Sequence, residues 1–119
     1  MSATVKNNLG LITISDDVIA TIAGYTTVEN YGIVGMSGKK AGENIFELLG
    51  RENIRKGVAV AVNGDSCSID VYVIVEYGVS LHAVAQNVIE NVTYRVREFA
   101  GIAVSSVNVH VEGVRVQQN

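Results

Sequence analysis

The sequence predicts an α+β fold with two layers, in which one mixed, mainly antiparallel sheet carries two main helices on one of its faces. Two observations predict it. The clear strand segments alternate valine with mostly polar residues, so each strand has one apolar face. Two other segments repeat apolar residues at helical spacing and can cover that apolar face. The opposite face of the sheet is then left to solvent or to a partner.

The first half of the chain predicts a strand, a helix and a second strand. Residues 9–14 form the first strand, and Ser15 caps the helix that follows. Residues 31–36 form the second strand, which glycines interrupt. Residues 39–56 are ambiguous, and one interpretation is a short helix that ends at Gly50. The apolar stripe of the first helix is Val18, Ile19, Ile22 and Ala23, and the anchors of the short helix are Ile45, Phe46, Leu48 and Leu49.

The second half of the chain predicts a hairpin, a long helix and a last strand. Residues 58–62 and 67–75 alternate around Asn63-Gly64, which is a strong signal for an antiparallel hairpin. Ser80 caps the long helix, Gly101 ends it, and residues 107–111 form the last strand. The apolar stripe of the long helix consists of Leu81, Val84, Ala85, Val88, Val92, Val96 and Phe99.

Size and composition restrict the function. The 119 residues suit one domain over 1–119, with residues 1–8 expected to be flexible and 117–119 forming a tail. A net charge of −3 lacks the basic excess that nucleic acid would require, so we expect no nucleic-acid partner. The densest apolar run, 57–62, is too short to span a bilayer, so we expect no direct membrane insertion. A single cysteine, Cys67, suits a reducing cytoplasm.

No motif in the chain predicts catalysis, a cofactor or a metal. The glycines and lysines of residues 32–40 lack the spacing and the hydroxyl of a phosphate-binding loop. The two histidines and Cys67 show no metal-ligand spacing. Asp70 and Glu76 are six residues apart on one predicted strand, which is about 20 Å and too far for a carboxylate pair. We therefore expect a protein that is not an enzyme.

The outer face of the predicted sheet is the candidate site. It combines a small apolar patch with an acidic rim, a combination that often marks a partner surface. Two other interpretations remain open: the 39–56 segment folds over this patch, or the patch is ordinary exposed apolar surface. The possible partner surface comprises Ala59, Ala61, Asp70, Tyr72, Ile74 and Glu76.

Several segments, taken in order, resemble one known family over residues 9–116. The family is the alkaline shock protein family of Gram-positive bacteria, also called the envelope stress response family. The segments that carry the resemblance are Gly10-Leu11-Ile12-Thr13-Ile14-Ser15 with Val18, Tyr31-Gly32-Ile33-Val34-Gly35-Met36, the hairpin from Gly57-Val58 to Val75-Glu76-Tyr77-Gly78, and Val107-Asn108-Val109-His110-Val111.

The resemblance implies a small, non-enzymatic, cytoplasmic protein linked to cell-envelope homeostasis or stress response. Some members of the family are held at the membrane by a separate anchor protein. Others resemble a housekeeping form encoded beside a fatty acid kinase-type enzyme, and this chain is similar to that short form because it lacks long charged tails. We therefore expect a scaffold that forms homo-oligomers or docks on such a protein partner. The alternative is an accessory protein that binds an acyl or lipid ligand in a pocket between sheet and helices.

Overall fold

A computed structural model of the chain describes residues 2–38, the backbone of residues 47–48, and residues 54–116. It confirms the predicted α+β class, with helices on a mixed sheet. The elements in chain order are β1 (Ser2–Asn7), β2 (Gly10–Ser15), α1 (Asp16–Val28), β3 (Ile33–Ser37), β4 (Glu47–Leu48), a 3-10 turn (Arg55–Gly57), β5 (Val58–Asn63), β6 (Ser66–Glu76), α2 (Leu81–Ala100) and β7 (Ala103–Arg115).

The main sheet is organised around β6. β7 runs parallel to β6 along its whole length, from Ser66 to Glu76. The other edge of β6 is shared by two antiparallel strands, because β5 pairs with residues 66–71 and β3 pairs with residues 73–75. β4 extends the sheet beyond β3. Three of these four pairings are antiparallel, as the sequence predicts.

A second, two-stranded sheet precedes the main sheet. β1 and β2 form an antiparallel hairpin, in which Asn7 Oδ1 accepts hydrogen bonds from the backbone N–H groups of Leu9 and Gly10. The first predicted strand, residues 9–14, corresponds to β2 and lies in this second sheet rather than in the main one. β2 pairs with β1 because the Asn7 side chain closes the turn between them.

The core lies between the inner face of the main sheet and both helices. Every second residue of β6 is fully buried there, including Ile69, Val71 and Val73. The buried stripe of α2 consists of Val84, Val88, Val92 and Val96, each at most 5% exposed. The predicted caps are present: the Ser15 side chain accepts from Asp17 N, the Ser80 side chain accepts from Ala83 N, and Gly101 has a φ of 70°.

Some residues predicted in the core lie at the surface. Val18 is 48% exposed because it lies off the buried stripe of α1 that contains Ile19 and Ala23. Leu81 and Phe99 are 47% and 69% exposed because they lie in the end turns of α2, beyond its packed valines. The helix predicted in the 39–56 segment is wrong at Leu48, which belongs to β4. The rest of that helix lies outside the described residues.

Candidate interaction surface

A polar and aromatic cluster lies on the outer face of the main sheet, the face opposite both helices. The parallel register of β6 and β7 places Asp70 beside Asn108 and Tyr72 beside His110. Because side chains of neighbouring strands at the same register position lie on the same face, these four residues form one group. We call them the outer-face platform.

Hydrogen bonds and ring stacking hold the platform together. Asp70 Oδ1 accepts a hydrogen bond from Asn108 Nδ2 at 3.1 Å and lies 2.9 Å from His110 Nε2. The His110 ring stacks on the Tyr72 ring, with centroids 4.5 Å apart and planes at 14°. The Tyr72 ring is therefore positioned in advance, through His110, by the Asp70 carboxylate. Fixed side chains lose less entropy on binding than mobile ones, so this arrangement favours binding.

The structure brings together part of the predicted partner surface. Ala59 and Ala61 of β5 are exposed, and Ala59 lies opposite Asp70 in the register. Asp70, Tyr72 and Glu76 are half-buried.

Ile74 was expected to be exposed, and that expectation is wrong, because it is 8% exposed. Ile74 lies between two glycines in the register, Gly35 of β3 and Gly113 of β7, and a register shift in β7 precedes Gly113. The Ile74 side chain contributes to the packing of the outer face and offers little surface to a partner.

Asn108 and His110 were not predicted as site residues. Both alternate with valines in the sequence of the last strand, and this pattern already indicates that they lie on its polar face. Their proximity to Asp70 and Tyr72 depends on the register between β6 and β7, which run parallel although 38 residues separate Asp70 from Asn108. No turn sets this register, unlike that of a hairpin.

The platform contains an Asp–His pair, a combination that takes part in catalysis in some enzymes. An Asp–His pair acts in nucleophilic catalysis when the second ring nitrogen reaches a hydroxyl or thiol. Within the part of the chain that the structure describes, His110 has no hydroxyl or thiol within hydrogen-bond distance. The described residues also hold no group of three acids, histidines or cysteines that could bind a metal. Cys67 is buried in the core, and this burial raises the pKa of its thiol.

A second feature lies at one end of the two-layer structure of sheet and helices, where β6 leads into α2. The turn from Glu76 to Val79 separates two adjoining cavities of about 470 and 210 Å³. Tyr31 and Asn87 contribute to the larger cavity, and Leu81 and Val114 contribute to the smaller one. Glu76 lines both cavities, and among the lining residues that the structure describes it is the only charged one. We call this region the end cavity.

No helix in the described ranges 2–38 and 54–116 is long and apolar enough to cross a membrane.

Comparison with known proteins gives consistent matches over almost the whole chain. The sequence profile of the alkaline shock protein 23 family, described as having a cell envelope-related function, matches residues 4–116. The chain is 44% identical to the uncharacterized protein YloU of Bacillus subtilis, over 98% of both chains. It is 38% identical to an uncharacterized protein of Streptococcus pyogenes, over 98% of this chain and 97% of that one.

A further relative is more distant. The uncharacterized protein YqhY of Bacillus subtilis is 34% identical over 91% of this chain and 79% of its own length. No solved structure gives a significant match.

Proposed function

The chain belongs to the alkaline shock protein 23 family, whose function is related to the cell envelope, and we propose that it serves this function as a non-enzymatic docking protein. Its binding surface is the outer-face platform, together with Ala59 and Ala61 beside it. The partner is a protein.

One observation carries the proposal: an ordered aromatic and polar group lies on a sheet face that neither helix covers. The helices pack against the opposite face, where Ile69, Val71 and Val73 are fully buried. On the outer face, the Tyr72–His110 stack and both contacts to Asp70 use side chains that are still partly exposed. Tyrosine is enriched among residues that dominate binding energy, because its ring buries a large apolar area and its hydroxyl can bond to a partner.

The chemistry of the surface restricts the partner. Ala59 and Ala61 are small and exposed, so a partner side chain can approach the backbone of β5 closely. Asp70 is the only carboxylate among the four platform residues, so a partner with a positive or hydrogen-bond-donating surface fits best. A membrane anchor protein or a fatty acid kinase-type enzyme, the partners that the family resemblance implies, would connect such docking to the envelope. We expect the protein to act in the cytoplasm and to reach the membrane through its partner.

The acyl-ligand alternative is less favoured. Its pocket was expected between sheet and helices, but the four valines of α2 and the inner face of β6 are buried in contact with one core. The larger end cavity is only partly apolar in its lining residues. Of the described residues that line it, Glu76 is the one that is charged, and a carboxylate would repel the head group of a fatty acid.

Affinity capture with matched variants tests the proposal. Tagged wild-type protein, Tyr72→Asp and Glu98→Lys are expressed in the native cell, and captured proteins are identified by mass spectrometry. Glu98 is exposed on α2, far from the outer face, so its variant controls for a change of surface charge. We expect one envelope-associated protein with the wild type and with Glu98→Lys, and its loss with Tyr72→Asp. Equal capture by all three variants would contradict the outer-face assignment.

A further inference from the structure

The β1–β2 hairpin projects an apolar tip from the molecule. Near its base Ala3 is fully buried, and Thr4 N donates to Gly64 O at 3.2 Å. Towards the tip the exposure rises: Ile12 is 50%, Leu11 60% and Leu9 99% exposed. The tip therefore exposes Leu9 in the turn, Leu11 on one face of the hairpin and Ile12 on the other, because successive side chains of a strand point to opposite faces. Exposed apolar surface of this kind often marks an interaction site.

The end cavity lies at the other end of the molecule. The hairpin base bonds to Gly64, two residues before the start of β6, whereas the cavity is formed by the last residue of β6 and the residues that follow it. The 11 residues of β6 separate the two ends by about 33 Å, at about 3.3 Å per residue. A single chain therefore cannot place its own hairpin tip in its own cavity.

The smaller part of the end cavity suits an apolar side chain. Its volume of about 210 Å³ is below the range of about 300–1,000 Å³ that is typical of small-molecule pockets. Tyr77, Leu81 and Val114 line it and are 70%, 47% and 49% exposed. These side chains would lose much of that exposure if a leucine entered.

The charges of the two ends are complementary. Lys6 is the only charged residue of the hairpin, and Glu76 is the only charged residue among the described residues that line the end cavity. Lys6 lies opposite Leu11 in the hairpin register, close to the exposed tip. Arg115 lies beside Glu76 in the sheet register but does not line the cavity. A lysine that arrives with the apolar tip would meet the carboxylate at the rim.

We propose that the hairpin tip of one copy of this chain docks in the end cavity of a second copy. Because the two surfaces lie at opposite ends of one chain, the contact is heterologous and repeats from copy to copy, giving a head-to-tail chain or ring. This self-association uses none of the four platform residues and neither Ala59 nor Ala61, which form the proposed partner surface; Glu76, predicted on the outer face, belongs to the end cavity. The self-association is therefore independent of the proposed partner docking.

Sedimentation velocity on the purified protein, over a concentration series, tests the proposal. We expect the wild-type protein to form assemblies larger than a dimer as its concentration rises. Leu9→Asp and Val114→Asp should each weaken association at least about tenfold, because each places a carboxylate in an apolar contact beside Glu76. Thr13→Asp, an exposed change on the same hairpin, should assemble like the wild type. A wild type that stays monomeric throughout would overturn the proposal.

Mixing the two variants separates this geometry from others. Leu9→Asp keeps an intact cavity and Val114→Asp keeps an intact hairpin, so an equimolar mixture should form one-to-one dimers and stop there. A contact between two hairpins would give no such recovery, and that result would overturn the head-to-tail arrangement. Leu81→Asp replaces Val114→Asp if circular dichroism shows that the latter is unfolded.

A charge exchange and a vesicle assay complete the test. Lys6→Glu and Glu76→Lys should each weaken assembly, and a chain that carries both substitutions should regain it. Failure of the double variant to recover would count against the Lys6–Glu76 contact.

Vesicles of phosphatidylglycerol and phosphatidylcholine test whether the apolar hairpin tip binds a lipid surface instead of a second copy. Binding of monomeric wild type to these vesicles, lost in Leu9→Asp, would replace the second copy by a lipid surface and overturn the proposal.

Discussion

Two adjacent residues of β6 give opposite predictions when each is replaced by aspartate. Val73 faces the core and is fully buried, whereas Tyr72 faces outward and is half-buried. Val73→Asp and Tyr72→Asp introduce the same charge at neighbouring positions of one strand. The pair therefore tests which face of the sheet is packed and which is available for binding.

Val73→Asp should leave the protein mostly unfolded. The substitution removes the stabilisation of about 1.5–3 kcal/mol that burial of the valine side chain contributes. It also buries an unpaired carboxylate among Met36 and Val111, its register neighbours, which costs several kcal/mol more, on the order of 3–5 kcal/mol. The sum is comparable with the total stability of about 5–15 kcal/mol that is typical of native proteins.

Tyr72→Asp should cost far less. The loss of the ring stack with His110 removes about 0.5–1.5 kcal/mol. The new carboxylate lies about 7 Å along the strand from Asp70, and at that distance the repulsion in water is below about 1 kcal/mol. We expect a total loss of about 1–2 kcal/mol, which leaves a folded protein.

Urea denaturation followed by far-ultraviolet circular dichroism measures both effects. Tyr72→Phe, which keeps the ring, is the matched control and should lose less stability than Tyr72→Asp. A folded Val73→Asp together with an unfolded Tyr72→Asp would show that the assignment of the two faces is inverted.

Three further predictions concern local structure. Gly32→Ala should destabilise the protein by about 2 kcal/mol or more in the same denaturation assay, because Gly32 has a φ of 91° and a Cβ there would lie 2.7 Å from Val84 Cγ2. Gly10→Ala is the control: its Cβ would meet no atom within 4 Å, so its stability should be nearly that of the wild type. Ser80→Ala removes the cap of α2 and should cost about 1 kcal/mol in thermal unfolding, and an unchanged melting temperature would argue against that cap. Burial raises the pKa of the Cys67 thiol, so the folded state holds that proton more tightly than the unfolded state. The free energy of unfolding should therefore fall as the pH rises above the unfolded pKa of about 8.5. In Cys67→Ala, the free energy of unfolding should fall less steeply between about pH 8 and 10.

The strongest periodic patterns correctly predicted much of the architecture. The alternation around Asn63-Gly64 predicted the β5–β6 hairpin, and the helical spacing of the four valines predicted the buried stripe of α2. These patterns succeed because burial against a single core imposes a period of two on a strand and of 3.6 on a helix. β1 was missed because Ser2–Asn7 has few apolar residues and its pairing depends on the Asn7 side chain in the following turn.

The candidate site was predictable only in part. Alternation correctly placed Tyr72 and Asp70 on the outer face of β6. The same alternation did not predict that Ile74 is buried, at a point where the register of β6 with both β3 and β7 is irregular. The contact of Asp70 with His110 also lay beyond prediction, because a parallel pairing between distant segments has no sequence signal that sets its register.

Photocrosslinking from the platform tests the docking function most directly. The photoreactive amino acid p-benzoylphenylalanine replaces Tyr72 in the native cell, and in a parallel strain it replaces Glu98 on the exposed side of α2. If the outer face binds a partner, irradiation will give one discrete adduct with an envelope-associated protein from position 72 and none from position 98. The same adducts from both positions, or none from position 72 in a protein that remains folded, would contradict the docking function.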